Sequence, residues 1–206
     1  KYLTYNENKD IEIRVKNKHS FSAMNILEVN LDLILNKKNS IKDVSDRIIE
    51  AVKKYGIRRV CITGGEPLIQ QEVYELVYGL VAQNFLVSIE TNGSVPISPD
   101  YYNRSYKYVM DVKTPSSKME HKNFLTNLGT LHYGDEVKFV IADRNDYDYA
   151  KMILDKYPTR ARILFSPMFD KRGKTSIAPQ LAQWLVEDKF NNARIGVQIH
   201  KIIGVR

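Results

Sequence analysis

The chain has 206 residues, with 31 Lys and Arg against 24 Asp and Glu, for a net charge of +7. With 43% hydrophobic and 27% charged residues it has a globular composition, which excludes collagen, coiled coil and wholesale disorder. No apolar run reaches the roughly 18 residues of a membrane span. A single cysteine, Cys61, excludes an intramolecular disulfide and any multi-cysteine metal site within these residues. The opening Lys1-Tyr-Leu-Thr-Tyr5 lacks the apolar core of a signal peptide. The basic residues are spread in pairs such as Lys37-Lys38, Lys53-Lys54 and Arg58-Arg59. They read as a solvated mixed surface with room for local anion binding, and a nucleic-acid face is disfavoured.

In chain order, Ile11 to Val15 alternates as a strand does, and Met24 to Leu35 is of mixed polarity. Ser40 with Asp43 resembles a helix cap. Ile41, Val44, Ile48, Ile49 and Val52 then share one helical face that ends at Gly56. Arg59 to Thr63 is a short apolar strand. Val73, Leu76, Val77, Leu80 and Val81 mark a helix, and Phe85 to Ile89 a strand. A turn-rich stretch leads to the strand Tyr106 to Val112. Glu120 to Leu128 is expected as a short helix and Glu136 to Ile141 as a strand. Asp146 to Lys156 is expected as a helix with Tyr149, Met152 and Ile153 on one face. Arg162 to Phe165 reads as a strand. Ile177 to Asp188 is expected as a helix buried through Leu181, Trp184 and Leu185, and Ile195 to Ile199 as a closing strand. Strand–helix units repeated at this spacing predict an α/β fold with a parallel sheet, open or barrel-like, in one domain.

In parallel α/β proteins chemistry collects where strands end, and four strand ends carry candidate residues. Thr63-Gly64-Gly65-Glu66-Pro67 offers backbone that a ligand can approach closely and an anionic acceptor. It suits an ammonium group better than a phosphate, since no Lys-Ser or Lys-Thr follows. Glu90-Thr91-Asn92-Gly93 joins a carboxylate, a hydroxyl and an amide, and reads equally as a turn. Asp111-Val112-Lys113-Thr114-Pro115-Ser116-Ser117-Lys118 combines one carboxylate, two ammonium groups and three hydroxyls, a set suited to a carboxylate or a ribose. In the tail, His200 on a terminal strand reads first as a structural residue; with Gln198 on the same strand face, the alternative is a pair that reads the edge of a heterocycle.

Together, Thr63-Gly-Gly-Glu-Pro-Leu68, Glu90-Thr-Asn-Gly93, Val112-Lys-Thr-Pro-Ser-Ser-Lys-Met119 and Gln198-Ile-His-Lys-Ile-Ile203 resemble the radical S-adenosylmethionine (SAM) enzymes, and within them the 7-carboxy-7-deazaguanine synthase family of the queuosine and archaeosine precursor pathway. The resemblance covers Asn39 to Arg206. It implies a partial, open parallel β/α barrel of about six strands, its first strand missing or atypical. Residues 1–38 would be a family-variable insertion or N-terminal segment, and 39–206 the barrel. The implied activity is that of a carbon–nitrogen lyase in the cytoplasm. It contracts the ring of 6-carboxy-5,6,7,8-tetrahydropterin with loss of ammonia, using SAM cleaved by a [4Fe–4S] cluster to a 5′-deoxyadenosyl radical, with Mg²⁺ assisting. A reductant such as flavodoxin or ferredoxin is an implied partner and a homodimer the implied assembly. Carried onto this chain, Gly64, Gly65, Glu66, Asn92, Asp111, Val112 and Lys113 would contact SAM. The family often has Ser-Pro-Lys where Asp111, Val112 and Lys113 stand. Thr63, Glu90, Gln198, His200 and the Arg206 carboxylate would contact the pterin, and Lys138 would touch SAM or the core edge.

The family's Cys-x3-Cys-x2-Cys motif, which holds three irons of the cluster and leaves the fourth open to SAM, is not in this chain, nor is the Mg²⁺-binding Thr after it. Cys61 lies within a strand and reads as a small buried hydrophobe. Because the resemblance begins downstream of that motif, the sequence is read as incomplete, with a naturally cluster-free homologue as the alternative. An exposed strand edge is expected where a first strand would pair. Two further functional classes compete: another radical SAM enzyme, such as a glycyl-radical-enzyme activase, and a basic, cluster-free module for a nucleotide or RNA.

Overall fold

The computed structural model describes residues 3–5, 13–17, 25–30, 41–70, 72–98, 105–170 and 174–197. These fall into two compact units, one running to Thr91 and including 105–107, the other holding 92–98 and Tyr108 onward.

In the first unit, β1 (Leu3–Tyr5), β2 (Ile13–Asn17) and β3 (Asn25–Asn30) form an antiparallel meander with Tyr5 opposite Ile13 and Ile13 opposite Val29. β3 then pairs in parallel with β4 (Arg59–Thr63), Ile26 beside Arg59 and Val29 beside Ile62. The edge of β4 that was expected to be bare is therefore covered. The apolar alternation of Ile11 to Val15 and the mixed stretch after Met24 supply the covering strands. α1 (Ile41–Tyr55) makes the crossover that a parallel pair requires. It buries Ile48, Ile49, Ala51 and Val52, carries Asp43 in its first turn, and places Lys53 and Lys54 against the negative end of its dipole. Gly56, at φ 61°, takes the left-handed conformation that stops it. α2 (Val73–Ala82) buries Val73, Leu76, Val77 and Leu80 and returns the chain to β5 (Leu86–Thr91), which pairs with β4 in parallel, Ile62 beside Ile89.

The second unit is a parallel set laid down in chain order: β6 (Tyr106–Val112), which belongs to it from Tyr108 on, β7 (Glu136–Ile141), β8 (Arg162–Pro167) and β9 (Ala193–Ile195). Burial alternates along β6 and β7, with Tyr108, Met110, Val112, Val137, Phe139 and Ile141 inside. Under that face an aromatic cluster forms: the Phe165 ring centroid lies 5.7 Å from Phe139, 5.6 Å from Tyr147 and 5.4 Å from Phe190. Such a buried ring stabilises the fold by about 3–5 kcal/mol relative to alanine. The connecting helices are α3 (Asn127–Thr130), α4 (Arg144–Lys156) and α5 (Ala178–Glu187). The α/β class with an open parallel sheet follows the strand–helix alternation of the sequence.

Three expectations are corrected. Glu120–Leu128 is not one helix. It is a 3-10 turn over Glu120–Lys122 followed by the short α3, because the side chains of Asn123 and Asn127 bond backbone elsewhere: Asn123 the peptide groups of Lys113, Asn127 the amide of Ile97 and the carbonyl of Val95. α4 buries Asp146, Tyr147, Ala150 and Ile153, while Met152 stays 54% exposed and Tyr149 half-buried. A polar residue, Asp146, belongs to the inner face, which hydrophobic periodicity does not register. α5 is buried at Leu181, whereas Trp184 and Leu185 are half-buried. β9 ends at Ile195, and of the closing strand expected at Ile195 to Ile199 the part beyond Val197 lies outside the described residues.

Candidate functional site

In the first unit the Gly-Gly loop leaves the end of β4. Gly64 has φ 108° and Gly65 φ 44°, both in the left-handed region where a side chain would be strained. Pro67 opens a 3-10 turn over Pro67–Ile69, capped by Glu66, whose Oε1 accepts the Leu68 amide at 3.1 Å. Glu66 is only 6% exposed. Its carboxylate also accepts the Thr91 hydroxyl, at 2.8 Å to Oε1 and 2.9 Å to Oε2. The sequence reading offered the Glu66 side chain to a ligand ammonium. The structure turns it inward, and the loop presents its backbone instead, with Gly65 exposed and Gly64 half-buried.

Thr63 and Glu90 come together. Cys61 and Ser88 are register partners on β4 and β5, so the residues two steps on, Thr63 and Glu90, stand on the same face, and both are half-buried. Thr91 points to the opposite, buried face at 2% exposure. Cys61 is 2% exposed and packs as a hydrophobe.

The second unit carries the other candidates. Asn92 Oδ1 accepts the Ser94 amide at 2.9 Å, and Gly93 follows at φ 71°; this is the turn that the residue types allowed. Asp111 on β6 is the register partner of Lys138 on β7. Its Oδ2 takes the Lys113 ammonium at 2.8 Å and lies 3.9 Å from that of Lys138. Its Oδ1 is buried and has no hydrogen-bond partner, so that one oxygen of the carboxylate is an acceptor without a donor. Val112 is wholly buried on the other face. The hydroxyls of this segment are largely committed: Thr114 donates to the carbonyl of Val140 at 2.9 Å and Ser117 to that of Thr114 at 2.6 Å.

Two residues that sequence reasoning missed fix this region. Asn123 accepts the Lys113 amide at 2.9 Å and donates to the Lys113 carbonyl at 2.8 Å. Asp146, fully buried, accepts the amides of Ser116 and Ala142, each at 2.9 Å. Asp146 lies three residues after the cap residue Asp143, and that spacing was its only signal. Gln198, His200 and Arg206 lie outside the described residues.

The fit to metal groups is poor. The sole cysteine is enclosed in β4, so these 206 residues hold no ligand set for an iron–sulfur cluster. Among the described residues no three His, Cys, Asp or Glu side chains converge as a metal site. The two left-handed glycines, one exposed and one half-buried, leave room for the ammonium or carboxylate of an amino acid to approach the backbone. No helix among the described residues is long and apolar enough to cross a membrane.

No model of a known protein family matches the chain. It is 38% identical over 148 residues to 7-carboxy-7-deazaguanine synthase of Methanospirillum hungatei, covering 71% of this chain and 58% of that one. To the enzyme of the same name from Clostridium acetobutylicum it is 33% identical over 161 residues, covering 76% and 71%. Among solved structures it is similar to QueE from Escherichia coli, with a TM-score of 0.62, 17% identity and 92% of each chain covered. A second is Streptococcus suis SuiB bound to S-adenosylmethionine, with a TM-score of 0.58, 14% identity, and 78% of this chain and 42% of that one covered. These two likenesses carry the fold.

Proposed function

The chain belongs to the 7-carboxy-7-deazaguanine synthase family, and we propose that it acts as a carbon–nitrogen lyase contracting 6-carboxy-5,6,7,8-tetrahydropterin to 7-carboxy-7-deazaguanine with loss of ammonia. The observation that carries this reading is the identity of 33–38% to synthases of that name, matched by a Gly64-Gly65 turn held open at the end of a parallel strand. The chain spans 58% of the Methanospirillum enzyme, so the activity is proposed for the whole protein.

SAM would supply the radical chemistry when bound, and this chain's part is to hold it. The Gly64 and Gly65 backbone is assigned the methionine end. Asp111 and Lys113 are assigned the polar groups of the nucleoside, with Lys113 offering an ammonium and Asp111 its unmatched acceptor oxygen. Asn92 and Val112 are assigned backbone contacts. Thr63 and Glu90, sharing one face, are assigned to the pterin, where a carboxylate accepts from ring N–H groups and a hydroxyl does either. Gln198, His200 and the Arg206 carboxylate are assigned to the same substrate. No residue here is assigned to the cluster or to Mg²⁺: the chain has one cysteine, and among the described residues no group of acidic, His or Cys side chains converges as a metal site. An electron-donor protein such as flavodoxin or ferredoxin, a homodimer and a cytoplasmic setting complete the reading.

The test is anaerobic reconstitution of the full-length gene product with iron and sulfide, followed by assay of the tetrahydropterin for conversion. Formation of 7-carboxy-7-deazaguanine supports the proposal. An intact cluster with SAM turnover and no such product refutes it.

A further inference from the structure

The Glu66 carboxylate is buried directly after the Gly-Gly loop. It caps the turn through Leu68 and is spanned by the Thr91 hydroxyl, which lies 2.8 and 2.9 Å from its two oxygens. Glu66 is 6% exposed and Thr91 2%. The two residues are 25 positions apart in sequence and sit at the ends of adjacent parallel strands. Between the end of β4 and this clamp lie only Gly64 and Gly65, the two residues whose left-handed backbone forms the presenting surface. A glycine pair is the least restrained dipeptide a chain can have, with many conformations of similar energy. Something must select the one observed. β4 fixes one end of the pair, and the Glu66–Thr91 bond fixes the other.

We infer that Thr91 is a positioning residue for the methionine end of SAM, acting through the buried Glu66 carboxylate to hold the Gly64-Gly65 backbone in its binding conformation. This rests on the reading of the Gly-Gly loop as the SAM-binding loop. It gives the loop's carboxylate an internal role and gives one to the Thr91 hydroxyl, which the sequence reading named without assigning it a contact. Thr91→Val keeps the β-branched shape and strand preference while removing the hydroxyl. Glu66 then sits buried with one donor fewer, and the loop is freer to leave the binding conformation.

The measurement is the dissociation constant of SAM by calorimetry on the full-length reconstituted protein without reductant, so that no turnover enters. Thr91→Val is expected to weaken binding about tenfold, the effect of losing one hydrogen bond to a charged group. Thr91→Ser, which restores the hydroxyl, is expected within about twofold of the wild type. In a double-mutant cycle, Glu66→Gln with Thr91→Val is expected to bind no more weakly than Glu66→Gln alone, since both act through one bond. Unchanged SAM affinity in Thr91→Val, with only a lower melting temperature, reduces the bond to a structural one and overturns the inference. Additive losses in the cycle overturn it as well. A wild-type protein that does not bind SAM overturns the reading of the loop itself, and the inference with it.

Discussion

Asp146→Ala should loosen the loop after β6 and destabilise the second unit by an amount the structure allows to be worked out. The carboxylate is fully buried and accepts two backbone amides, Ser116 and Ala142, at 2.9 Å each. A hydrogen bond to a charged group contributes about 1.5–3 kcal/mol; Ser116 is exposed and Ala142 half-buried, so water can partly replace the lost acceptor at both amides. Truncation removes the carboxylate's own burial cost along with both bonds, so the net loss is set at about 3–5 kcal/mol. In a domain of this size each kcal/mol lowers Tm by about 2–4 °C, which puts the drop at roughly 6–20 °C. Asp146→Asn keeps one acceptor oxygen but turns an amide donor toward an N–H, and should lose about half as much. Ser116→Ala keeps the backbone amide and should change stability by less than about 0.5 kcal/mol. Chemical unfolding gives the energies, and hydrogen exchange at the Ser116 and Ala142 amides locates them. If Asp146→Ala lies within about 1 kcal/mol of wild type, or the Ser116 amide stays equally protected, the clamp contributes nothing and the reasoning fails.

Three further predictions concern single groups. Gly93→Ala combines a φ of 71° with a new Cβ only 2.6 Å from Met110 Cε and 3.2 Å from its Cγ, so a loss of about 2–4 kcal/mol is expected in thermal unfolding; unchanged stability would mean that the turn is not held. Around α4, the Lys151 ammonium and then the Tyr147 hydroxyl hold the Asp188 carboxyl below its ordinary value of 3.8. A folded-state value below the unfolded one gives stability that is present above pH 3.8 and lost as pH falls further. The Tm difference between wild type and Asp188→Asn should therefore be visible at neutral pH and vanish in acid, and a difference that grows in acid contradicts the pairing. Burial and the bond to Asp188 push the Tyr147 hydroxyl well above its ordinary 10.0, so the Tyr147→Phe variant should also flatten the loss of stability as pH rises past that value.

Much of the frame was legible because local signals agree. In Arg59–Thr63, Tyr106–Val112 and Glu136–Ile141 a β-rich run is bounded by turn residues, and the strands match the sequence reading at both ends. Legibility ended where a side chain answers to a partner far along the chain. Glu66 looks like a ligand to a ligand until Thr91, 25 residues on, is seen to take it. The inner face of α4 includes Asp146 because the amides of Ser116 and Ala142 need an acceptor, and hydrophobic periodicity contains nothing about unsatisfied amides. Asn123 and Asn127 similarly break an otherwise plausible helix by bonding backbone from other segments. Asp111 and Lys113 were named in one segment, but their pairing, like the approach of Lys138 through the register of β7, is seen only in the structure.

The chain-order pairing of the strands has a consequence for biogenesis. Val109 pairs beside Glu136 and Glu136 beside Arg162, so in the second unit each strand finds its neighbour after one helix and about 27 residues of further synthesis. At roughly 5–20 residues per second a ribosome delivers each next strand within a few seconds. Every new strand can dock on an edge already built, and none has to wait for a partner encoded much later. Assembly of that unit can keep pace with translation, with the most recently docked strand as the growing edge that a nascent-chain binder would recognise.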